Sequence, residues 1–392
     1  MPRAIVVGAG IGGLTAALAL RAVDIDVLVL ERAEELSEVG AGISLWPNAI
    51  KVLRDLGIGT AIEKAGRPIE GGGLWDWRGR RIKGDTSAEF VERFGAPLVM
   101  IHRGVLQRLL RAALPGQTIR HGAEVASVDQ DGHHVHARLV TGGRETGDLV
   151  IGADGLHSRV RTAVARAEPP LWSGLVAWRG IAELDALPGP ATLRPGEHWG
   201  PGALFGMARV DDERAYWWTS ARASFEGASP NLERAALATR LGDWAAPIPQ
   251  LVRATPASRI IRTGLYDRDP ESRWSTGLIA LLGDAAHPML PFLGQGACQA
   301  IEDAAVLADS LRRGSGDLAG ALELYARRRY KRVGWVVKRS RSLGRVAHLS
   351  GGLSATARNA VARATPASAT LRHLRPLLAY EVNATEKGFE LD

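Results

Sequence analysis

Gly8, Gly10, Gly12 and Gly13 fall in a G-x-G-x-G-G run directly behind the apolar stretch Ala4-Ile5-Val6-Val7. Glycines spaced G-x-G-x-x-G let a chain turn off a strand, lay bare backbone against a pyrophosphate and close a helix onto a sheet. The alanine- and leucine-rich stretch Leu14 to Arg21 has helical periodicity, and its N-terminus would offer unpaired N–H groups and a partial positive charge to phosphates. Glu31 ends the next apolar run, Val27-Leu28-Val29-Leu30, eighteen positions beyond Gly13, where a carboxylate can accept a hydrogen bond from a ribose hydroxyl. Strand, glycines, helix, strand and terminal acid together describe a dinucleotide site.

Two more acids sit behind strand-like runs. Asp148 to Gly152 leads into Asp154-Gly155, with Ser158 placed to cap a helix starting at Arg159. Leu278 to Leu282 is continuously apolar, as in a strand buried on both faces, and ends at Gly283-Asp284. An acid leaving the carboxyl end of a parallel strand lies where open α/β sheets bind ligands. Gly294, Gly296 and Ala297 then open another helix and aim its N-terminus across the strand tips. Arg103 starts the helix Val105 to Ala113 against the macrodipole, which makes it a candidate anion contact. His287, beside Pro288, reads first as a residue that orders its turn and second as a catalytic group. His133, His134 and His136 lie on a hairpin without nearby cysteine or acid ligands, so no metal site is expected.

These residues need an α/β frame to hold them. Between Leu171 and Arg262 the helical pattern gives way to strands that carry Trp172, Trp178, Trp199, Trp217 and Trp218. Along Ala215 to Ser220, strand alternation puts Tyr216 and Trp218 on one face and Trp217 on the other. Leu232 to Leu241 reads as a helix covering that sheet, residues 69–101 as strands and turns, and Leu318 to Leu349 as a basic helix followed by two short ones. The loop Val39 to Asn48, which includes Ser44, reads as a cover over the dinucleotide site. The expected division is 1–70, 98–170 and 265–330 for the nucleotide domain, 71–97 and 171–264 for a second domain, and 331–392 for a C-terminal helical segment.

Length and a 46% hydrophobic content describe an ordinary globular protein, and the lone cysteine, Cys298, excludes an internal disulfide. The immediate entry into a strand and the lack of a long apolar run predict a cytoplasmic protein without signal or anchor. Nine basic residues between Arg327 and Arg345 exceed the whole net charge of +7, so the excess belongs to one helix. It reads as a solvated face or a partner for acidic surface, not as a nucleic-acid site.

Gly8–Gly13 with Glu31-Arg32, Asp154-Gly155, and Gly283-Asp284 with Gly294–Ala297, in this order and at these separations, resemble the class A FAD-dependent monooxygenases, the family of para-hydroxybenzoate and salicylate hydroxylases. The resemblance runs from residue 1 to about 345. It implies a glutathione-reductase-type, Rossmann-like FAD domain interleaved with a β-sheet-plus-helix substrate domain. It further implies that Gly12 and Gly13 hold the pyrophosphate, Glu31 the adenosine ribose, and that Arg32 and Val125 lie at the adenine. Ser44 and Arg103 would reach FAD, Asp154 would serve both FAD and nicotinamide, and Asp284 would bond the ribityl chain. Gly294, Gly296 and Ala297 would present N–H groups to the flavin's pyrimidine edge. The implied reaction uses transient NAD(P)H and O2 to hydroxylate a small aromatic substrate through a flavin hydroperoxide, in a monomer or homodimer. Pro291 and Phe292 would wall the pocket, and Tyr216, His198 and His287 are candidates for deprotonating substrate. Arg179 and Arg209 read first as outward salt-bridge residues and second as partners for a substrate carboxylate. Epoxidation, halogenation (Trp75-Asp76-Trp77 partly matches a halogenase signature) and a non-catalytic flavin-binding role are the alternatives.

Overall fold

The computed structural model describes residues 1–35, 41–70, 72–84, 87–166, 168–187, 193–224, 226–379 and 381–382. Val39 and Gly40 of the loop expected to cover the nucleotide, Gly71 at the expected domain boundary, and residues 383–392 lie outside the described residues.

Apolar runs buried on both faces build the central sheet. Strands Ile279–Leu281, Leu149–Gly152, Arg3–Val7, Asp26–Leu30 and Ile119–Arg120 are parallel neighbours in that order, with Ser275–Thr276 antiparallel at one edge. Ala4, Ile5, Val6, Val29, Val150 and Ala280 are fully buried there. Helices Ile11–Arg21 and Gly296–Arg313 and the antiparallel hairpin sheet around Val125–Gln130 and Val135–Leu139 share this core. Val7 sits opposite both Leu30 and Gly152, and Gly152 opposite Leu281. That register delivers Gly8, Glu31, Ala153 and Leu282 side by side at one carboxyl edge.

The second sheet has seven strands, ordered Ile261–Asp267, Leu171–Glu183, Arg214–Arg222, Ala203–Arg209, Gly196–Gly200, Gly73–Asp76 and Arg81–Gly84. Two distant stretches of sequence therefore build it. Trp77 to Arg80 form its hairpin turn, where the Asp76 carboxylate accepts the N–H groups of Arg78 (3.0 Å) and Arg80 (2.9 Å). Alternation sorts its faces: Val176, Trp178, Phe205 and Trp217 pack with Leu237, Leu251 and Val252 from the covering helices Pro230–Arg240 and Ile248–Ala254. The inner face is laid on the rest of the molecule at two places. Tyr216 packs with Ala41 and Met100, while Leu175, Trp199 and Leu204 pack with Leu290, Phe292 and Ala347.

Four elements differ from the sequence expectation. Gly42–Leu45, inside the stretch read as a covering loop, is a strand paired antiparallel with Val99–His102, so Ser44 sits on it. Residues 69–101 include a helix, Ser87–Phe94, whose Phe90 and Phe94, one turn apart, are buried, Phe90 meeting Trp46 edge-on at 5.8 Å. Ile248–Ala254 is a helix inside the stretch read as strands. The helix near Arg159 starts at Arg161, because the Asp154 carboxylate takes the N–H groups of Arg159 (2.7 Å) and Val160 (3.2 Å) while Ser158 Oγ takes that of Arg161 (2.9 Å).

The basic helix, Leu318–Ala347, turns four of its nine clustered basic side chains toward buried or half-buried acids and leaves the other five exposed. Arg329 is fully buried between Glu302 (2.6 Å) and Asp303 (2.7 Å), and Arg332 bonds Glu302 at 2.8 Å. Arg341 reaches Asp267 (2.7 Å) and Asp269 (2.8 Å), and Arg328 reaches Asp309 (2.8 Å). Buried ions stay charged only when such partners satisfy them. Arg327, Lys331, Lys338, Arg339 and Arg345 remain exposed. No helix among the described residues is long and apolar enough to cross a membrane.

Candidate active site

A cavity of about 670 Å³ opens along the carboxyl edge of the parallel sheet, lined by Gly8, Gly10, Glu31, Arg32, Arg103, Val125 and Asp154 among others. Gly8 has φ +104°, and a Cβ there would stand 2.6 Å from the Ala153 carbonyl oxygen. A Cβ on Gly13 would run into the Gly8 carbonyl oxygen, and one on Gly12 would stand 2.8 Å from Leu282. Those two glycines let the helix seat against the sheet. Gly10 differs, because nothing lies within 4 Å of its missing side chain. It caps the helix Ile11–Arg21 without a side-chain hydrogen bond, so the first-turn N–H groups stay free to donate.

Glu31 is fixed by two backbone donors, Ala9 N–H at 2.7 Å and Ala33 N–H at 2.9 Å. A carboxylate has about four acceptor positions, so two remain for a diol. The donor set of this cavity fits an adenosine diphosphate: an acid at one end, free helix N–H groups and Arg103 in the middle. Past Asp154 its lining runs to Ser158, Arg161, Glu168 and Arg268, and Asp284 is not part of it.

Arg161 joins the corners of Asp154 and Asp284. One of its guanidinium nitrogens donates to the carbonyls of Ala285 and Ala286, both at 3.1 Å, and the other to Glu271 at 2.6 Å. Asp284 keeps an accessible face while protein closes around it, and that desolvation raises its pKa; His287 and Arg103 pull the other way. Beyond it, helix Gly296–Arg313 starts at Gln295 without a side-chain cap, leaving N–H groups near Gly296 and Ala297 as donors. Gly294, at φ +61°, lets the preceding turn nest on Ser44 and Trp46, where a Cβ would stand 3.0 Å from Ser44 Oγ and 2.8 Å from Trp46 Nε1.

The candidates for chemistry separate. Tyr216 is buried on the inner face, stacked on Trp218 at 5.3 Å, with Trp217 on the opposite face as alternation requires. Burial pushes its phenol up to about 12 despite the nearby Arg179. It is therefore a hydrogen-bond donor at neutral pH and not a base. His287 faces inward: its Nε2 meets Asp303 Oδ2 at 2.5 Å and its ring lies on Trp274 at 4.9 Å. It holds its turn from behind Asp284. His198 lies on the outer face, buried and stacked on Trp75 at 6.0 Å, and desolvation lowers its pKa to about 4. Pro291 is exposed, while Phe292 is buried against His348 at 5.2 Å. Arg209 donates to the Asp212 carbonyl at the surface. Arg161 was missed as a site residue; its only signal was a second arginine behind Asp154-Gly155.

A family model described as an FAD binding domain matches residues 2–340. The chain belongs to this family of FAD-dependent monooxygenases, and it is an FAD-binding oxidoreductase. It is similar to "Aurachin C monooxygenase/isomerase" of Stigmatella aurantiaca, 40% identical over 87% of this chain and 88% of the relative. It is 37% identical to "3-amino-4-hydroxybenzoate 2-monooxygenase" of Streptomyces cremeus over 93% of this chain and 92% of that one. Among solved structures, Klebsiella pneumoniae HpxO complexed with FAD and uric acid superposes with a TM-score of 0.88 at 31% identity, covering 96% of each chain.

Proposed function

We propose that this chain is a single-component monooxygenase that hydroxylates a small aromatic or heteroaromatic substrate at the expense of NAD(P)H and O2. Bound FAD supplies the redox chemistry, accepting a hydride equivalent and passing one oxygen atom to the substrate. The observation that carries the reading is the side-by-side delivery of Gly8, Glu31, Ala153 and Leu282 at one strand edge, with an aromatic inner face opposite.

Gly10 and the helix N-terminus hold the pyrophosphate, Glu31 the ribose diol, and Arg32 and Val125 border the adenine. Arg103 offsets phosphate charge, and Asp154 keeps its corner shaped for FAD and a visiting nicotinamide. Asp284 accepts from the ribityl chain. The N–H groups of Gly296 and Ala297 stabilise negative charge at the pyrimidine edge, as a helix N-terminus does where charge develops. Tyr216 donates to a substrate oxygen, and the second sheet keeps water out.

The purified protein should be yellow and should consume NAD(P)H and O2 faster with a substrate from a panel of phenols, quinolones and N-heteroaromatics, giving a product 16 mass units heavier. Asp284→Ala should lose FAD on gel filtration. A variant that keeps its flavin removes Asp284 from the assignment. NAD(P)H oxidation that no aromatic stimulates removes the monooxygenase reading.

A further inference from the structure

The inner face of the seven-stranded sheet carries one rung of unusual composition. Cross-strand register aligns Arg179 with Trp218, Trp218 with Gly206, and Gly206 with Glu197. Residues in register share a face, so all four face inward with Tyr216, which lies two positions before Trp218. The rung runs between the two apolar contacts described above, and Trp218 borders both.

Gly206 is what makes the rung work. A Cβ there would run into the Trp218 indole, so the bare backbone lets that ring lie flat across the neighbouring strand. Its N–H then reaches Glu197, which also accepts from Trp199 Nε1 at 2.9 Å. Two indole donors thus fix the carboxyl and leave about two of its acceptor positions open. No cation pairs with Glu197, and no carboxylate pairs with Arg179, among the described residues. A half-buried acid and a half-buried guanidinium, both unpaired and about three strand spacings (~14 Å) apart over an aromatic floor, are costly to keep without a ligand. Burial raises the Glu197 pKa.

The geometry points to Glu197 as the substrate-orienting residue of this cleft: it takes a ring N–H or amino donor, while Arg179 takes an oxygen at the opposite end of the same ring system. The substrate class is an aromatic with a nitrogen donor across from a carbonyl or phenolate oxygen. This rests on the monooxygenase reading and deepens it. A site built to bond an N–H rejects the analogue that lacks it, because its own polar group is left unpaired.

Two near-isosteric probes test it on the FAD-loaded enzyme: 4-hydroxyquinoline, whose keto tautomer has an N–H across the ring from its oxygen, and 1-naphthol, which keeps the oxygen alone. Binding is followed by the flavin difference spectrum, and turnover by NAD(P)H consumption. Wild type should bind 4-hydroxyquinoline at least tenfold more tightly. Glu197→Leu should abolish that ratio with FAD content intact, through a rise in KM for 4-hydroxyquinoline only, and Glu197→Gln should restore part of it. Equal binding of both probes by wild type overturns the inference without any variant, as does a ratio that survives in Glu197→Leu. If neither probe perturbs the flavin or NAD(P)H consumption, the inferred substrate class is overturned, while the monooxygenase reading still stands or falls on the wider panel of aromatics.

Discussion

Arg161 donates to the Ala285 carbonyl at 3.1 Å, tying the corner after one central strand to the loop after its neighbour. Between them the two segments supply Asp154 and Asp284, so the spacing of the two acids depends on a guanidinium that itself lines the cavity. Arg161→Met keeps much of the volume but leaves two carbonyls and Glu271 without their donor. The expected cost is about 2–3 kcal/mol of stability, with a weaker grip on FAD. Thermal melts of the apoprotein and a flavin fluorescence titration measure the two effects separately. Unchanged FAD affinity would show that the clamp does not set the cofactor site.

The glycines make a paired prediction. Gly10→Ala meets no protein atom within 4 Å, so the apoprotein should melt within about 0.5 kcal/mol of wild type while FAD affinity falls at least tenfold. Gly13→Ala drives a methyl into the Gly8 carbonyl and should cost about 3 kcal/mol with or without flavin. Equal destabilisation by both would mean that Gly10 faces protein and not a ligand.

The nucleotide end was legible because its signals are local: glycine spacing, an acid closing a strand, an apolar run ending in Gly283-Asp284. The second sheet was less so. Alternation says that Glu197 and Trp199 share a face and that His198 does not, yet nothing in five residues says which face turns inward. That depends on Gly196–Gly200 pairing with Gly73–Asp76, more than a hundred positions away. The same limit hid the helix Ser87–Phe94, whose two phenylalanines acquire meaning only once Trp46 stands against them. The charge of Leu318–Ala347 was legible as a solvated face or a partner for acids, but which arginines pair was not, because Glu302 and Asp303 look like ordinary helix-surface acids until the two helices pack.

Asp303 links that buried network to acid stability. Burial pushes its carboxyl up, but His287 and Arg329 together outweigh that and hold it at about 2, below the usual 3.8. A depressed carboxylate contributes stability that is fully present above pH 4 and is lost as pH falls toward 2, here about 2 kcal/mol. Asp303→Asn should flatten the unfolding curve in that window. It should also lower the melting temperature at pH 7, since Arg329 and His287 lose a partner, at a cost of about 3–5 kcal/mol. Circular dichroism from pH 7 to 2 checks both; an acid limb identical to wild type would place the titrating group elsewhere.

Tyr216 separates a donor role from a base role. A phenol raised to about 12 keeps its proton throughout the working range, so it can support a substrate oxygen but cannot remove a proton from it. Tyr216→Phe should retain FAD, because the ring still stacks on Trp218, and should lower substrate-stimulated kcat by about 10- to 100-fold. The shape of the pH–rate profile between pH 6 and 9 should be the same in the variant and the parent. Loss of an ionisation from that profile in Tyr216→Phe would show that the hydroxyl titrates during turnover, and the donor assignment would fall.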